Sequence, residues 1–386
     1  DQSSMRLIGA GDVQITKKKI FFNDYQSKID YFEVDSAIVP YTDPEEFWQL
    51  KSTRYSNRTK FVETDDFGKI KFSGKYGSNL INEIYNYAIV AETIAQDNDF
   101  DIIHAHDWLA YPAGIAAKKV SGKPLVIHVH ATDFDRSGGS VNPQVYAIEK
   151  EGMDAADKII TVSNLTRQIV IEKYGINPKK VITVYNAVEP VNLEKKQALK
   201  KGMEDKVVTF LGRITMQKGP EYFIEAAYKV LKRTKNVRFV MAGSGDMMNA
   251  MIRRAAQLKI TDHFHFTGFL RGDDVFHMFS MSDVYVMPSV SEPFGISPLE
   301  AMQSDVPVII SKQSGVAEIL KHAIKIDFWD VNAMADAIYS IVKYPALSTE
   351  FKKHTRIEVD NLQWKNSAKN VRDIYMATLK AAKRKY

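Results

Sequence analysis

Val284-Tyr285-Val286-Met287-Pro288-Ser289-Val290-Ser291-Glu292-Pro293-Phe294-Gly295-Ile296-Ser297-Pro298-Leu299-Glu300-Ala301-Met302 reads as a strand, a loop and the start of a helix. The apolar run Val284 to Met287 has the length of a strand buried on both faces. Ser297 is the expected N-cap of the helix and Pro298 its first helical residue. Strand–loop–helix is the repeating unit of a parallel sheet, in which ligands bind beyond the carboxyl ends of the strands. The amides of Gly295 to Leu299 then converge at a helix N-terminus, where unpaired N–H groups and the helix dipole favour phosphate or carboxylate. Pro293 keeps Glu292 in the loop, and Glu300 falls in the first turn. A plainer reading competes: Ser297-Pro298-Leu299-Glu300 matches a capping box, with Glu300 reaching back to the Ser297 amide, and on pattern alone capping is favoured. Glu292 by itself reads equally well as a solvated loop carboxylate.

The same alternation extends in both directions. Further strands are predicted at Val207–Leu211, Val237–Ala242, His263–Thr267, Val306–Ile310 and Ile324–Ile326, with helices between them. One helix opens at Gly219-Pro220 and presents Tyr222, Phe223, Ala226, Ala227, Val230 and Leu231 on one face. This half is a complete doubly wound α/β domain. Upstream, Leu80, Ile84, Tyr87, Ala88, Ala91, Ile94 and Ala95 predict an amphipathic helix over about 78–97. Strand-sized runs follow at Phe100–Ile103, Pro124–Val129, Lys158–Val162 and Val181–Tyr185, giving a second domain of the same type but poorer in strands. The stretch 186–206, with Pro190 and Lys195, Lys196, Lys200 and Lys201, reads as a linker. The first 75 residues read as short strands and turns, with a helix start at Asp43-Pro44.

Composition narrows the functional classes. The 386 residues are 45% hydrophobic and 26% charged, which excludes a disordered chain. With no cysteine there is no disulfide, thiolate nucleophile or thiolate metal site, in keeping with a cytoplasmic protein. A net charge of +5 is too mild to imply a nucleic-acid partner. No run approaches the ~20 apolar residues of a membrane span, which leaves peripheral membrane contact open.

Three further segments could carry chemistry. In Gly212-Arg213-Ile214-Thr215-Met216-Gln217-Lys218-Gly219 a strand runs through a glycine-containing loop with two cations. Arg213 and Lys218 could bracket a diphosphate, although taken alone they read as surface cations. Ala242-Gly243-Ser244-Gly245-Asp246 also follows a strand but falls short of a full dinucleotide fingerprint. The pairs His104-Ala105-His106 and His128-Val129-His130 invite a metal reading, since alternate strand residues share a face. The later histidines lack accompanying acids at strand ends, so no metal ligand is assigned.

Together these segments resemble the retaining glycosyltransferases of the GT-B fold, particularly family 4 and its starch and glycogen synthase relatives. The carriers are Gly212-Arg213…Lys218-Gly219, Ala242-Gly243-Ser244-Gly245, Phe266-Thr267-Gly268, the pair Glu292/Glu300 around Phe294-Gly295-Ile296, and Ser314-Gly315-Val316-Ala317-Glu318. His104-Ala105-His106-Asp107-Trp108 looks like a glucan-synthase segment. The resemblance implies two Rossmann-like domains facing across a cleft: residues 1–187 with a C-terminal helix at about 367–386 on the acceptor side, and 188–366 holding the nucleotide sugar. It also implies transfer of a hexose, glucose being favoured, to a glycan such as an α-glucan, with no cofactor and no metal. Arg213, Lys218, Gly295 and Ile296 would bind the donor diphosphate and Glu300 the ribose. Glu292 and His106 would be catalytic, and Asp107, His130 and Phe294 would line the sugar pocket. Ser314 replaces the usual first glycine of its motif. Such enzymes begin with a strand and a Gly-rich loop that are not found here, so the chain is expected to be N-terminally truncated by about fifty residues, one or two strand–helix units. The rival readings are a metal-dependent hydrolase built on the His-x-His pairs and a non-catalytic sugar-binding fragment.

Overall fold

A computed structural model of the chain describes residues 33–35, 69–71, 80–189 and 204–383. The helix expected from Asp43 and the lysine-rich part of the linker lie outside the described residues. The strands are β1 (Glu33–Asp35), β2 (Lys69–Lys71), β3 (Ile103–His106), β4 (Leu125–Val129), β5 (Lys158–Thr161), β6 (Val181–Thr183), β7 (Lys206–Leu211), β8 (Val237–Ala242), β9 (Phe264–Gly268), β10 (Val284–Met287), β11 (Val308–Ser311) and β12 (Ile324–Ile326). β1 and β2 form a parallel pair, β3 to β6 a sheet in the order β3-β4-β5-β6, and the rest a sheet in the order β12-β11-β10-β7-β8-β9. The chain separates into two compact units whose boundary runs through β5: residues 1–129, 144–159 and 375–386, and residues 130–143 and 160–374.

In the second unit all five neighbouring pairs of the six-stranded sheet are parallel. Alternation along β10 shows both faces buried: Val284 and Val286 join one core with Phe210, Phe223, Phe239 and Ile338, while Tyr285 and Met287 join another with Leu299, Met302, Ile310 and Leu320. Each such side chain contributes about 1.5–3 kcal/mol relative to exposure. The helix Pro220–Leu231 covers the first face with the residues its periodicity predicts, and it starts at Gly219 with proline at its first position. β7 has β8 on one side and β10 on the other, so the strand order reverses there. A crevice opens above such a reversal. It lies between the loop after β7 and the loop after β10, the two segments that carry most of the candidate chemistry.

In the first unit the helix Leu80–Asp97 packs on the helix Asp107–Ser121. β3 and β4 pair in parallel, with His104 opposite Val126 and His106 opposite His128. The sequence places a strand over Phe100–Ile103, with His104 and His106 at its carboxyl end. The observed strand instead starts at Ile103 and takes both histidines into the ladder, because the pairing with β4 runs from Ile103 to His106. Asp107, which follows, adopts a φ of +58°, a conformation that costs a non-glycine residue about 1–2 kcal/mol. Among the described residues no helix is long and apolar enough to cross a membrane.

The loops after β7 and β8 touch through backbone. Gly212 N donates to Ala242 O at 3.0 Å and Ile214 N to Ser244 O at 2.9 Å. Gly243 has a φ of +139°, and a Cβ there would collide with the Gly212 carbonyl. Gly243→Ala is therefore expected to destabilise the protein by about 2 kcal/mol or more, through backbone displacement and strain together, read as a lower urea midpoint.

Candidate active site

Lys218 and Glu292 form an ion pair above the β7/β10 reversal. Lys218 ends a short 3-10 turn, Met216–Lys218, which Gly219 closes with a φ of +64°. Glu292 is 7% exposed. Its carboxylate also accepts from Ser289 Oγ at 3.3 Å. Its backbone is fixed on both sides, Glu292 N donating to Gln313 O at 3.0 Å and Gly315 N to Glu292 O at 2.9 Å. A charge so placed is held by the fold and not by a flexible rim. Arg213 is exposed, and its Nη2 donates to Gln217 Oε1 at 3.1 Å. The buried Gln217 in turn donates from Nε2 to Ser291 O at 3.1 Å and accepts from Val290 N at 2.9 Å. One glutamine thus ties the cationic loop to the acidic one.

The helix after β10 spans Ser297–Gln303, with Ile296 as its N-cap residue and no side-chain cap. This departs from the expected Ser297 cap and has a physical reason. The Ser297 hydroxyl is 2.8 Å from that of Tyr285, which also donates to Leu211 O at 3.3 Å. With the capping box absent, Glu300 is not committed to the Ser297 amide. Glu300 is half-buried, and burial raises its carboxyl above the usual range. Burial also raises the Tyr285 phenol, with smaller contributions from the charges of Glu292 and Glu300. Gly295 has a φ of +100°, and a Cβ there would press on Glu292 Cγ at 3.2 Å. Phe294 is 3% exposed and packs beside Tyr185 in the core, so it offers the loop its backbone rather than its ring.

A partner segment escapes the sequence reading. Asp135, 1% exposed, accepts from Thr132 N and Thr132 Oγ1, both at 2.8 Å, and from Ser291 Oγ at 2.6 Å. The signal for it was local: Thr132 and Asp135 have capping-box spacing and form that box on the helix Asp133–Ser137. Its reach to Ser291, adjacent to Glu292, has no sequence signature. Glu318, noted in sequence only as part of a motif, accepts from Asn164 N at 2.9 Å, Leu165 N at 2.7 Å and Tyr185 Oη at 2.8 Å. Burial, followed by this carboxylate, pushes the Tyr185 phenol up to about 12.

The structure thus places Arg213, Lys218, Glu292, Phe294, Gly295, Ile296 and Glu300 on the two loops at the reversal and the helix that follows. His106 and Asp107 belong to the first unit, and His130 to the second. The first His-x-His pair gathers with one member of the second. His104, His106 and His128 gather with their ligand atoms within 4.8 Å of one another, the one such group among the described residues.

Residues 191–358 match the family model "Glycosyl transferases group 1" and residues 70–191 "Glycosyltransferase Family 4". An uncharacterised glycosyltransferase of Methanocaldococcus jannaschii is 32% identical over 294 residues, 72% of this chain and 75% of that protein. A glycogen synthase of Mycobacterium tuberculosis is 24% identical over 285 residues, covering 72% of this chain and 69% of its own length. Among solved structures, Anabaena HepE in complex with UDP and glucose aligns with a TM-score of 0.65 at 16% identity, covering 81% of this chain and 86% of that one. Sucrose-phosphate synthase of Thermosynechococcus elongatus aligns with a TM-score of 0.68 at 19% identity, covering 81% and 84%.

The ion pair makes a stability prediction of its own. Lys218→Met leaves the buried Glu292 carboxylate without its cation and is expected to cost about 2–3 kcal/mol in urea unfolding. Adding Glu292→Gln removes the stranded charge and is expected to restore at least half of that loss.

Proposed function

The chain belongs to the family 4 glycosyltransferases, retaining GT-B enzymes that use a nucleotide-sugar donor and need no metal, and from that premise we propose that it moves a hexose, glucose first among candidates, from a UDP-sugar to a glycan acceptor such as an α-glucan. The observation that carries this reading is the Lys218–Glu292 pair at the strand-order reversal, beside the Gly295 turn and the start of a helix. In this reading Arg213 and Lys218 neutralise the diphosphate as it departs, with the amides of Gly295 and Ile296 assisting. Each cation about 4 Å from a phosphate contributes up to ~4 kcal/mol at an effective dielectric of 20, before desolvation is subtracted. Stabilising charge where it develops is the main catalytic work of such a site. Glu292 steadies the positive anomeric centre. Glu300, freed from capping, accepts hydrogen bonds from the ribose hydroxyls. His106, Asp107 and His130 contact the sugars, and Phe294 shapes the pocket through the loop it anchors. The division into an acceptor-side domain, 1–187 with the helix near 367–386, and a donor domain, 188–366, belongs to the same proposal. UDP as the donor base is supported by HepE, whose structure holds UDP and glucose.

Three measurements test it. UDP is expected to raise the melting temperature more than ADP or GDP at equal concentration, since ligand bound to the native state stabilises it by linkage; no response to any of the three would overturn the donor reading. Lys218→Ala is expected to cut kcat at least 100-fold while changing uridine affinity less than threefold, because the lysine acts on the phosphates; equal losses would remove it from that role. Glu300 gives a pH dependence. Its carboxyl is raised by burial, and only the ionised form offers both oxygens to the ribose. Nucleotide affinity is therefore expected to weaken as pH falls through that raised value, and Glu300→Gln to flatten the acid limb.

A further inference from the structure

The cluster His104, His106 and His128 serves no step of the donor chemistry that requires three imidazoles. Two residues apart on β3, His104 and His106 face the same side, and in-register pairing of His106 with His128 puts the third ring on that side too. Ring centroids are separated by 4.2 Å for His104 and His106, 5.2 Å for His106 and His128, and 5.4 Å for His104 and His128. Two parallel strands fix the Cα positions, so the cluster is held by the ladder rather than by loop packing. The Tyr375 hydroxyl is hydrogen-bonded to His104 Nδ1. A neutral ring that donates Nδ1–H to this oxygen keeps Nε2 as a lone pair, the outer-shell arrangement that orients a ligating histidine.

We propose that His104, His106 and His128 bind a first-row transition-metal ion, Zn2+ above all, through three imidazole nitrogens. Ligand chemistry sets the class. Imidazole suits Zn2+, Cu2+ and Ni2+, whereas Mg2+ and Ca2+ require oxygen ligands, which this trio lacks. Geometry agrees after a modest adjustment. Nitrogens about 2.0–2.1 Å from a tetrahedral ion lie roughly 3.3–3.4 Å apart, against separations here of up to 4.8 Å. The rings also have to turn, since His104 and His128 now stack within 10° of parallel. His106 is exposed and can swing in, whereas His128 is buried and stays as the anchor. Solvent completes the fourth position from the His106 side. Sugar transfer in this family needs no metal, so the ion has no part in that step, although it shares His106 with the sugar contact proposed above.

The test titrates metal-stripped full-length protein with Zn2+ in competition with a chromophoric chelator, using Co2+ as a spectroscopic probe of coordination. The wild type is expected to take up a single Zn2+ per chain and to give the intense visible d–d absorption of a four-coordinate Co2+ site. His106→Ala is exposed and retains the fold, checked by circular dichroism, and is expected to lose affinity at least tenfold together with the Co2+ band. His354→Ala is the control, since His354 stacks on His322 at 4.7 Å elsewhere and that pair is the competing imidazole site; it is expected to leave binding unchanged. Absence of stoichiometric Zn2+ uptake, undiminished binding by folded His106→Ala, or a loss that follows His354→Ala instead, would each overturn the proposal.

Discussion

The contact between the Lys218 ammonium and the Glu292 carboxylate organises this molecule, because it sits where the sheet order turns back on itself. Parallel strands deliver every loop of one polarity to one edge of the sheet, and at the reversal two of those loops diverge, leaving room for a ligand. The six-stranded sheet puts the loops after β7 and β10 in that position. One brings two cations, and the other brings a carboxylate, a glycine turn and a short helix. Gln217 and the Glu292 backbone bonds lock the loops in register. The site is therefore a property of the sheet, not of surface side chains that happen to meet.

Much of this was legible from the chain. Apolar runs of strand length mark most strands of the six-stranded sheet, since residues buried on both faces cannot alternate with polar ones. Proline at Pro220 and the apolar stripe from Tyr222 to Leu231 located a helix closely. What stayed hidden shares one character: it depends on residues distant in sequence. Lys218 and Glu292 are each conspicuous but nothing in the chain says that they pair. Asp135 meets Ser291 across a separation that no periodicity encodes, and its local pattern announces only a helix cap. The strand containing His104 and His106 runs further toward its carboxyl end than its apolar run, because its extent is set by the ladder with β4. Ser297 was read as a cap for the opposite reason. The local rule was sound, but the Ser297 hydroxyl is directed to a tertiary partner, the Tyr285 hydroxyl, and Ile296 takes the N-cap position.

That lost cap bears on function. A carboxylate in the first turn of a helix often satisfies a backbone amide, and a capping box would hold Glu300 back against the Ser297 amide. Here Ile296 is the N-cap and Glu300 stays half-buried without that bond, and its raised pKa reflects the desolvation. Raised carboxyls of this kind cluster at binding sites because a ligand, rather than the fold, supplies the missing hydrogen bonds.

The ion pair has a further consequence in the transfer proposed above. With Glu292 buried and Lys218 beside it, the two charges cancel, and the unliganded loops carry only the surplus cation of Arg213. A nucleotide diphosphate gains negative charge as its sugar leaves, so its pull on Lys218 is strongest at the transition state. As the lysine turns toward the departing phosphate, Glu292 loses its partner just as a positive anomeric centre forms. One motion of one side chain thus serves both ends of the breaking bond. In this proposal the pull of the phosphate on Lys218 and the exposure of Glu292 to the anomeric centre both grow as charge separates, so the interactions favour the transition state over the ground state.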